Sequence, residues 1–322
     1  MFTFTLSNYL YPKFCMLTSR DIRQKYFDFM ISKGHSLIPS SSIVPKEDPT
    51  VLFINSGMQP LIPYLTGQSD HPQGVRLVNS QKCLRTEDID EVGDNRHGTF
   101  FEMLGFWSLG DYFKKEAIEW TFEFLVDPKW LGVDPKRLFV TVYKGSQNEG
   151  EDSEAAQIWK EQFAKVGIEA DFGPEYDFKN PINNPDPNKY IYRITKRSGK
   201  DNWWGLPYRG PCGPCAETYF LLPGIESDFE TSLFPKMNNA EIEDFIENSI
   251  IEVGNNVFMT YEGEKNSDKE PINLKPLVSK NIDTGLGFER LLMMVQEKQT
   301  MFDTDVLKPL SDIALARSQQ ID

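Results

Sequence analysis

Residues 84–87 read Leu84-Arg85-Thr86-Glu87, and residues 96–104 read Arg96-His97-Gly98-Thr99-Phe100-Phe101-Glu102-Met103-Leu104. Between them lies a turn-rich acidic stretch that contains Asp88, Asp90, Glu91, Gly93 and Asp94. The residues before it, Gln81 to Arg85, and those after it, Thr99 to Leu104, both have the apolar, β-compatible content of extended chain. Two extended runs around a polar tip predict an antiparallel hairpin. Arginines on neighbouring antiparallel strands can grip a polyphosphate bidentately, and an aromatic ring on the same face can stack a purine. For any one of these residues the plain alternative is a solvated arginine or a core phenylalanine.

Outward from the hairpin, helices and strands follow without a regular βαβ period. Thr18-Ser19-Arg20-Asp21 supplies capping hydroxyls and a first-turn acid, Ile22, Tyr26, Phe29 and Met30 fall at helical spacing, and Gly34 stands where a terminating glycine belongs. This predicts a helix over 19–33. A short buried strand is expected at Val51 to Ile54, then a helical stretch from Gly57 to Gly67. Further helices are expected over 114–124 and from Ser153, read as the cap, to about Val166. Strands are expected at 138–143 and 216–222, and in two pieces around Gly254-Asn255. Residues 170–190 read as loop, 223–247 as an acidic surface insertion, and Thr284-Gly285-Leu286-Gly287 as the opening of a helix to about Glu297. The pattern predicts an α+β fold on an antiparallel sheet rather than a doubly wound one.

The chain has 322 residues, 39% of them hydrophobic and 25% charged, an ordinary globular balance. Its 34 basic and 48 acidic side chains leave a formal net charge of −14, which disfavours non-specific binding to nucleic acid. No run has the ~18 apolar residues of a membrane span, so no membrane partner is expected. Four cysteines are too few for a disulfide scaffold, which points to a reducing compartment and a cytoplasmic location. Residues 1–15 are aromatic and nearly uncharged; they read as a non-native extension, with Met16 as the natural start.

Two nucleotide-binding patterns fail. Ser198-Gly199-Lys200-Asp201 lacks the leading glycine and the hydroxyl of a Walker A loop, and Gly285-Leu286-Gly287-Phe288-Glu289-Arg290 puts arginine where a dinucleotide fingerprint needs glycine. Cys212 and Cys215 have the spacing of a redox or zinc pair, and a zinc site would need further, distant ligands.

The ordered combination narrows the alternatives. Leu84-Arg85-Thr86-Glu87, the loop and Arg96 to Phe101 resemble motif 2 of class II aminoacyl-tRNA synthetases, and Ile282-Asp283-Thr284-Gly285-Leu286-Gly287-Phe288-Glu289-Arg290 resembles motif 3. The detailed wording is similar to the alanyl-tRNA synthetase branch. It includes Asp48-Pro49-Thr50-Val51-Leu52-Phe53 with Asn55-Ser56-Gly57-Met58, and Gly110-Asp111-Tyr112-Phe113-Lys114. It continues with Asp201-Asn202-Trp203-Trp204, Gly210 to Glu217, and Asn255-Asn256-Val257-Phe258-Met259. The resemblance runs over about residues 18–310 in the family's order.

It implies a six- or seven-stranded antiparallel sheet flanked by helices, and ATP-dependent activation of L-alanine followed by transfer to the 3′ end of tRNA(Ala). Carried over position by position, Arg85 and Arg290 are the catalytic pair. The ATP set is Arg85, Glu87, Arg96, His97, Phe101, Met103 and Arg290, with Phe101 stacking the adenine. The alanine set is Arg85, Trp204, Asn255, Val257, Asp283 and Gly285, with Asp283 pairing with the ammonium. Glu252 is the candidate for the ATP-bound Mg²⁺. The resemblance sets Cys212 and Cys215 in a turn beside the site and implies no zinc in this portion. For Trp204 a core role, for Asp283 a helix cap, and for Glu252 an ordinary strand-end carboxylate remain the alternatives.

Departures are visible. The family's common Gly-Gly-Lys-His-Asn-Asp stretch is replaced by Thr86-Glu87-Asp88-Ile89-Asp90, and His97-Gly98 replaces a His-His pair. Gly254 stands where Trp is usual, which is expected to loosen the alanine pocket. Residues 223–247 are not recognisable as family sequence. The expected division is an adenylate-forming domain over 16–300 and the start of a helical tRNA-recognition region over 301–322, with no editing or oligomerising region following. Weak tRNA binding is expected on that basis. Two competing functions remain: a paralogue that activates an amino acid for a carrier other than tRNA, and a degenerate binding subunit. Retention of Arg85, Phe101, Asp283 and Arg290 argues against the second.

Overall fold

A computed structural model describes residues 17–45, 52–173, 191–206, 209–225 and 236–319. The expectations for residues 1–15 and for Asp48 to Val51 lie outside the described residues.

The strands among these are, in chain order, β1 (Ser36–Leu37), β2 (Arg76–Leu84), β3 (Phe100–Leu109), β4 (Leu138–Tyr143), β5 (Phe172–Gly173), β6 (Ile194–Arg197), β7 (Trp203–Gly205), β8 (Gly210–Leu221), β9 (Ile250–Lys265) and β10 (Pro271–Gly287). They form one sheet in the order β1-β2-β3-β10-β9-β8-β4-β6-β5, with β7 paired to β8. The run from β2 to β4 is antiparallel throughout, as expected. Parallel pairs are added at the margins, β1 on β2 and β6 between β4 and β5, so the sheet is wider than the expected six or seven strands. No helix among the described residues is long and apolar enough to cross a membrane.

The helices are α1 (Ser19–Ser32), α2 (Ile62–Leu65), α3 (Lys114–Val126), α4 (Ser153–Lys165), α5 (Gly199–Asn202), α6 (Asn239–Ser249), α7 (Phe288–Val295) and α8 (Lys308–Ser318). α1 starts as its sequence predicts: the Thr18 hydroxyl accepts from the Asp21 amide, and the Asp21 carboxylate accepts from the Thr18 amide. Gly34, at φ +88°, turns the chain away after it.

The sheet's two faces differ. One is covered by α1, α3, α4 and α7, whose Tyr26, Phe29, Phe122, Trp159, Phe163 and Leu291 pack against Val78, Phe106, Val140, Phe258, Ile282 and Leu286. The other carries a smaller cluster of Met58, Leu61, Leu77, Trp107, Cys215 and Val257. Strand alternation explains the split: Phe258 and Ile282 point to the helices, while Val257 and Asp283 point the other way.

Several local expectations are corrected. Leu52 and Phe53 are not strand, and Leu52 is 82% exposed; only Ile54 makes ladder-like bonds, to Ile43 and Leu84. α4 is capped by Asp152, not Ser153, because the Asp152 carboxylate reaches the Ala155 amide. Residues 250–265 form one strand rather than two pieces. Thr284 to Gly287 end β10, and the helix begins only at Phe288. Cys212 and Cys215 are not in a turn but on β8, with a register shift between them. Of the 170–190 loop, Phe172 and Gly173 form an edge strand, and 174–190 lie outside the described residues. The end of the supposed surface insertion is α6, whose Ile242 and Ile246 are buried against Phe139 and Leu221.

Candidate active site

The hairpin supplies the first wall. Arg85 extends the β2–β3 ladder by one bond, its amide donating to Thr99 O at 2.8 Å. Its Nε donates to Asn55 O at 3.1 Å, and its guanidinium lies 5.0 Å from the centre of the Phe101 ring. Phe101 and Met103 are two apart on β3 and so share a face. Met103 presses on Gly285, where a Cβ would stand 2.8 Å from the Met103 Sδ.

The hairpin loop folds on its own acids. The Asp94 carboxylate accepts from the Arg96 and His97 amides and meets His97 Nδ1 at 2.6 Å, while His97 Nε2 lies 3.2 Å from Glu91. Arg96 donates to the carbonyl of Glu247 at the end of α6.

Strands β9 and β10 supply the floor. Asp283, Gly285 and Gly287 alternate toward the cavity. Glu252 and Asn255 are three residues apart, and strict alternation would put them on opposite faces. A bulge repairs this: Tyr219 pairs with Glu252 and Thr218 with Gly254, so Val253 is the extra residue. Gly254 is required here, because a Cβ would stand 2.3 Å from Leu286 Cδ2 and 2.7 Å from Gly285 O. The expected loosening is therefore not found: Leu286, 1% exposed, fills the space. Trp204, on β7, forms the side wall.

Arg290 stands in the first turn of α7. Its Nε donates to Arg96 O at 3.2 Å, and its Nη1 donates to the Glu252 carbonyl at 3.2 Å and carboxylate at 3.3 Å. Arg85 and Arg290, 205 positions apart in sequence, thus line one cavity of about 370 Å³. The same cavity is lined by Arg96, His97, Phe101 and Met103, and by Trp204, Glu252, Asn255, Val257, Asp283 and Gly285.

Glu87 is the exception. It is exposed on the short 3₁₀ turn Thr86–Glu91, and the carboxylate that this turn presents to the cavity is Asp88. The sequence also left Ser56, Gly98, Glu289 and Met301 unassigned, although all four line the cavity. Glu289 had a signal, its place beside Arg290 in the motif 3 wording; Met301 had none.

Burial dominates the electrostatics. Asp283 is 7% exposed, and among the described residues its hydrogen-bond donor is Trp107 Nε1 at 2.6 Å. Burial pushes its carboxyl up to about 7, against the lowering effect of that bond. It sits five residues before α7 and does not cap it. Glu289 is likewise raised by burial to about 7, though it accepts from the Glu102 amide. Nearby on β8, burial and the neighbouring Glu252 carry Glu217 to about 8. The site can therefore take a cation at Asp283, anionic groups at the arginines, and an aromatic ring by Phe101 and Met103. Among the described residues no three His, Cys, Asp or Glu side chains gather as a metal cage.

Comparison with known proteins agrees in extent and order. The family profile described as "tRNA synthetases class II (A)" matches residues 21–181 and 187–320, and its second block runs through 223–247 without a break. An alanine–tRNA ligase of Treponema pallidum is 42% identical over 290 residues, 90% of this chain and 41% of that protein. One from Treponema denticola is 40% identical over 92% of this chain and 44% of its own length. One from Porphyromonas gingivalis is 41% identical over 92% of this chain and 30% of its own. The chain thus spans less than half the length of these relatives. Among solved structures, an apo S. aureus histidyl-tRNA synthetase aligns over 89% of this chain and 68% of that one, at 12% identity and a TM-score of 0.45.

Proposed function

This chain belongs to the tRNA synthetases class II (A) family, and on that premise we propose that it activates L-alanine with ATP, releasing pyrophosphate, and passes the alanyl group to the 3′ end of tRNA(Ala). The observation that carries this reading is the shared cavity of Arg85 and Arg290, lined also by the Phe101 ring and the buried Asp283 carboxylate.

In the first step an alanine carboxylate oxygen attacks the α-phosphorus of ATP, and the bond to the β-phosphate oxygen breaks. Arg85 would touch both the carboxylate and the α-phosphate, neutralising charge that builds at phosphorus. Its contact to Asn55 O and its place over Phe101 hold the guanidinium in one orientation before substrate arrives. Arg290 takes the γ-phosphate, assisted by Arg96 and His97, and Phe101 and Met103 hold the adenine. Asp283 receives the ammonium, and Trp204, Asn255, Val257 and Gly285 limit the pocket to a small side chain. Rate comes from positioning and fixed charge rather than proton transfer. In the second step the terminal ribose hydroxyl of tRNA attacks the acyl carbon and AMP leaves.

Mg²⁺ fits the donor chemistry at Glu252, a hard carboxylate oxygen beside Arg290; such an ion needs one or two carboxylates and takes its other oxygens from phosphate and water. It would supply further neutralisation of the departing pyrophosphate.

The reading places the protein in the cytoplasm. With a formal net charge of −14, this chain alone is expected to bind tRNA weakly. The test is alanine-dependent ATP–pyrophosphate exchange. Exchange above the alanine-free blank, reduced about 10²–10³-fold by Arg85→Ala or Arg290→Ala, is the expected result. A wild-type chain with no alanine-dependent exchange would overturn it.

A further inference from the structure

Strand β10 runs beside β3 with Leu286 opposite Leu104 and Gly287 opposite Met103, and then leaves the sheet as α7 at Phe288. The ladder between the two strands ends there, one residue short of Glu102. The Arg85 amide donates to Thr99 O, so odd-numbered residues of β3 bond to β2. The Glu102 N–H therefore points the other way, toward the side that β10 has left. Glu289 meets it with its side chain: the carboxylate oxygens accept from the Glu102 amide at 3.1 and 3.2 Å. Glu289 is 5% exposed and lines the cavity. The Glu102 side chain is held as well. Its carboxylate accepts from Arg23 Nε at 3.0 Å, Arg23 Nη2 at 2.8 Å and Ser80 Oγ at 2.6 Å.

Glu102 sits between Phe101 and Met103, the two β3 residues that line the cavity, and Glu289 immediately precedes Arg290 in the first turn of α7. One carboxylate thus joins the strand that carries the aromatic wall to the turn that carries the distal arginine. The side chain of Arg290 bonds elsewhere, to Arg96 O and to Glu252. A backbone amide left without an acceptor at this place would be costly, and the strand would shift to find one. The bond does not depend on ionisation: burial raises the Glu289 carboxyl to about 7, and the acid form keeps acceptor lone pairs for the amide.

We propose that Glu289 is a positioning residue for the nucleotide: by continuing the β3 ladder where β10 departs, it sets the Phe101–Met103 wall at a fixed distance from Arg290, so that the base and the terminal phosphate of one ATP engage together. This rests on the ATP-dependent activation reading given above. The action is on the nucleotide alone. Its bond runs to β3, whereas Trp204, Asn255 and Asp283 stand on β7, β9 and β10.

The experiment reads KM for ATP, KM for alanine and kcat separately in alanine-dependent pyrophosphate exchange. Glu289→Ala removes the acceptor and is expected to raise KM for ATP about tenfold, the scale of one lost buried hydrogen bond, with KM for alanine within about twofold of wild type. Glu289→Gln keeps an oxygen acceptor and is expected to return KM for ATP to within about threefold of wild type. Glu289→Asp is one methylene shorter, loses its reach to Glu102 and is expected to behave like Glu289→Ala; it carries the same readout should the alanine variant not fold. In a Phe101→Ala background, Glu289→Ala is expected to raise KM for ATP by less than about threefold, since the wall it positions is gone. A merely structural role would move both KM values together and add in full to Phe101→Ala. Either of those results, or a wild-type KM for ATP in Glu289→Ala, would overturn the proposal. If wild type gives exchange while the variants behave in one of these ways, only this inference falls. If wild type gives none, the activation reading falls and takes this inference with it.

Discussion

Asp152 and Asp283 are both buried aspartates, 5% and 7% exposed, and they are treated in opposite ways. Asp152, at the start of α4, meets Lys114 at 2.6 Å and caps its helix through the Ala155 amide. Its counter-charge is built into the chain. Asp283, on the open face of β10, has the indole N–H of Trp107 but forms no salt bridge with a side chain among the described residues. Burial of an unbalanced carboxylate raises its proton affinity, and Asp283 rises to about 7. Asp152 has its cation beside it in the fold; beside Asp283 no cationic side chain stands among the described residues.

The sharpest break of this comparison exchanges the charges. Asp283→Asn is expected to cut kcat/KM for alanine about 10²–10³-fold in pyrophosphate exchange, since it removes one partner of a desolvated charge pair. The same change is expected to raise the melting temperature of the ligand-free protein at pH 8, because a buried unpaired charge is deleted. If Asp283→Asn instead lowers stability and leaves KM for alanine untouched, the two aspartates are of one kind.

Asp152→Ala is the converse. It strands Lys114 and uncaps α4, for an expected loss of about 3 kcal/mol by denaturant unfolding, with KM for alanine unaltered. Lys114 keeps a contact to Glu154 at 3.2 Å, which limits the loss.

A third prediction uses pH. The ordinary values of Asp283 and Glu289 are 3.8 and 4.5, and both are raised to about 7. Groups raised in this way bind more protons when folded than when unfolded. Their contribution to stability is therefore present at low pH and is lost as pH rises from about 4 through about 7. Ligand-free protein is expected to melt lower at pH 8 than at pH 5.5, with a smaller difference in Asp283→Asn. On the proposed reading alanine binding has the opposite sign: it would need ionised Asp283, so KM for alanine is expected to rise as pH falls below about 7. Calorimetry across this range and exchange kinetics at saturating ATP check the two signs separately.

The smallest effect concerns the floor. Gly254→Ala puts a methyl group against Leu286 and the Gly285 carbonyl, with an expected cost of about 1–3 kcal/mol and a modest rise in KM for alanine. A neutral outcome would mean that the bulge at Val253 relaxes easily.

Much of the fold was legible because local chemistry and fold agree. The capping box of α1, the glycine after it and the antiparallel pairing around residues 86–99 follow from turn and cap residues alone. The errors lie where a local pattern has two structural outcomes. Thr284-Gly285-Leu286-Gly287 looks like a loop entering a helix, yet these glycines end a strand; Met103, 182 positions away, packs against Gly285. Ser153, a hydroxyl residue, looks like a cap in the sequence, but the preceding aspartate reaches the free amide. Glu87 and Asp88 are adjacent acids, and only the turn geometry decides that Asp88 faces the cavity.

Sequence by itself determined the class of fold, the family and the identity of the paired arginines, because these depend on residue types in a fixed order. Tertiary structure alone decided that Glu252 and Asn255 share a face, that a Cβ at Gly254 would meet Leu286 and the Gly285 carbonyl, and that the Cys215 sulfur accepts from the Asn255 amide. It also decided which buried aspartate carries a counter-charge and which does not. The reason is physical: strand register, burial and the company of distant side chains are set when the sheet closes, and no local stretch of the chain contains them.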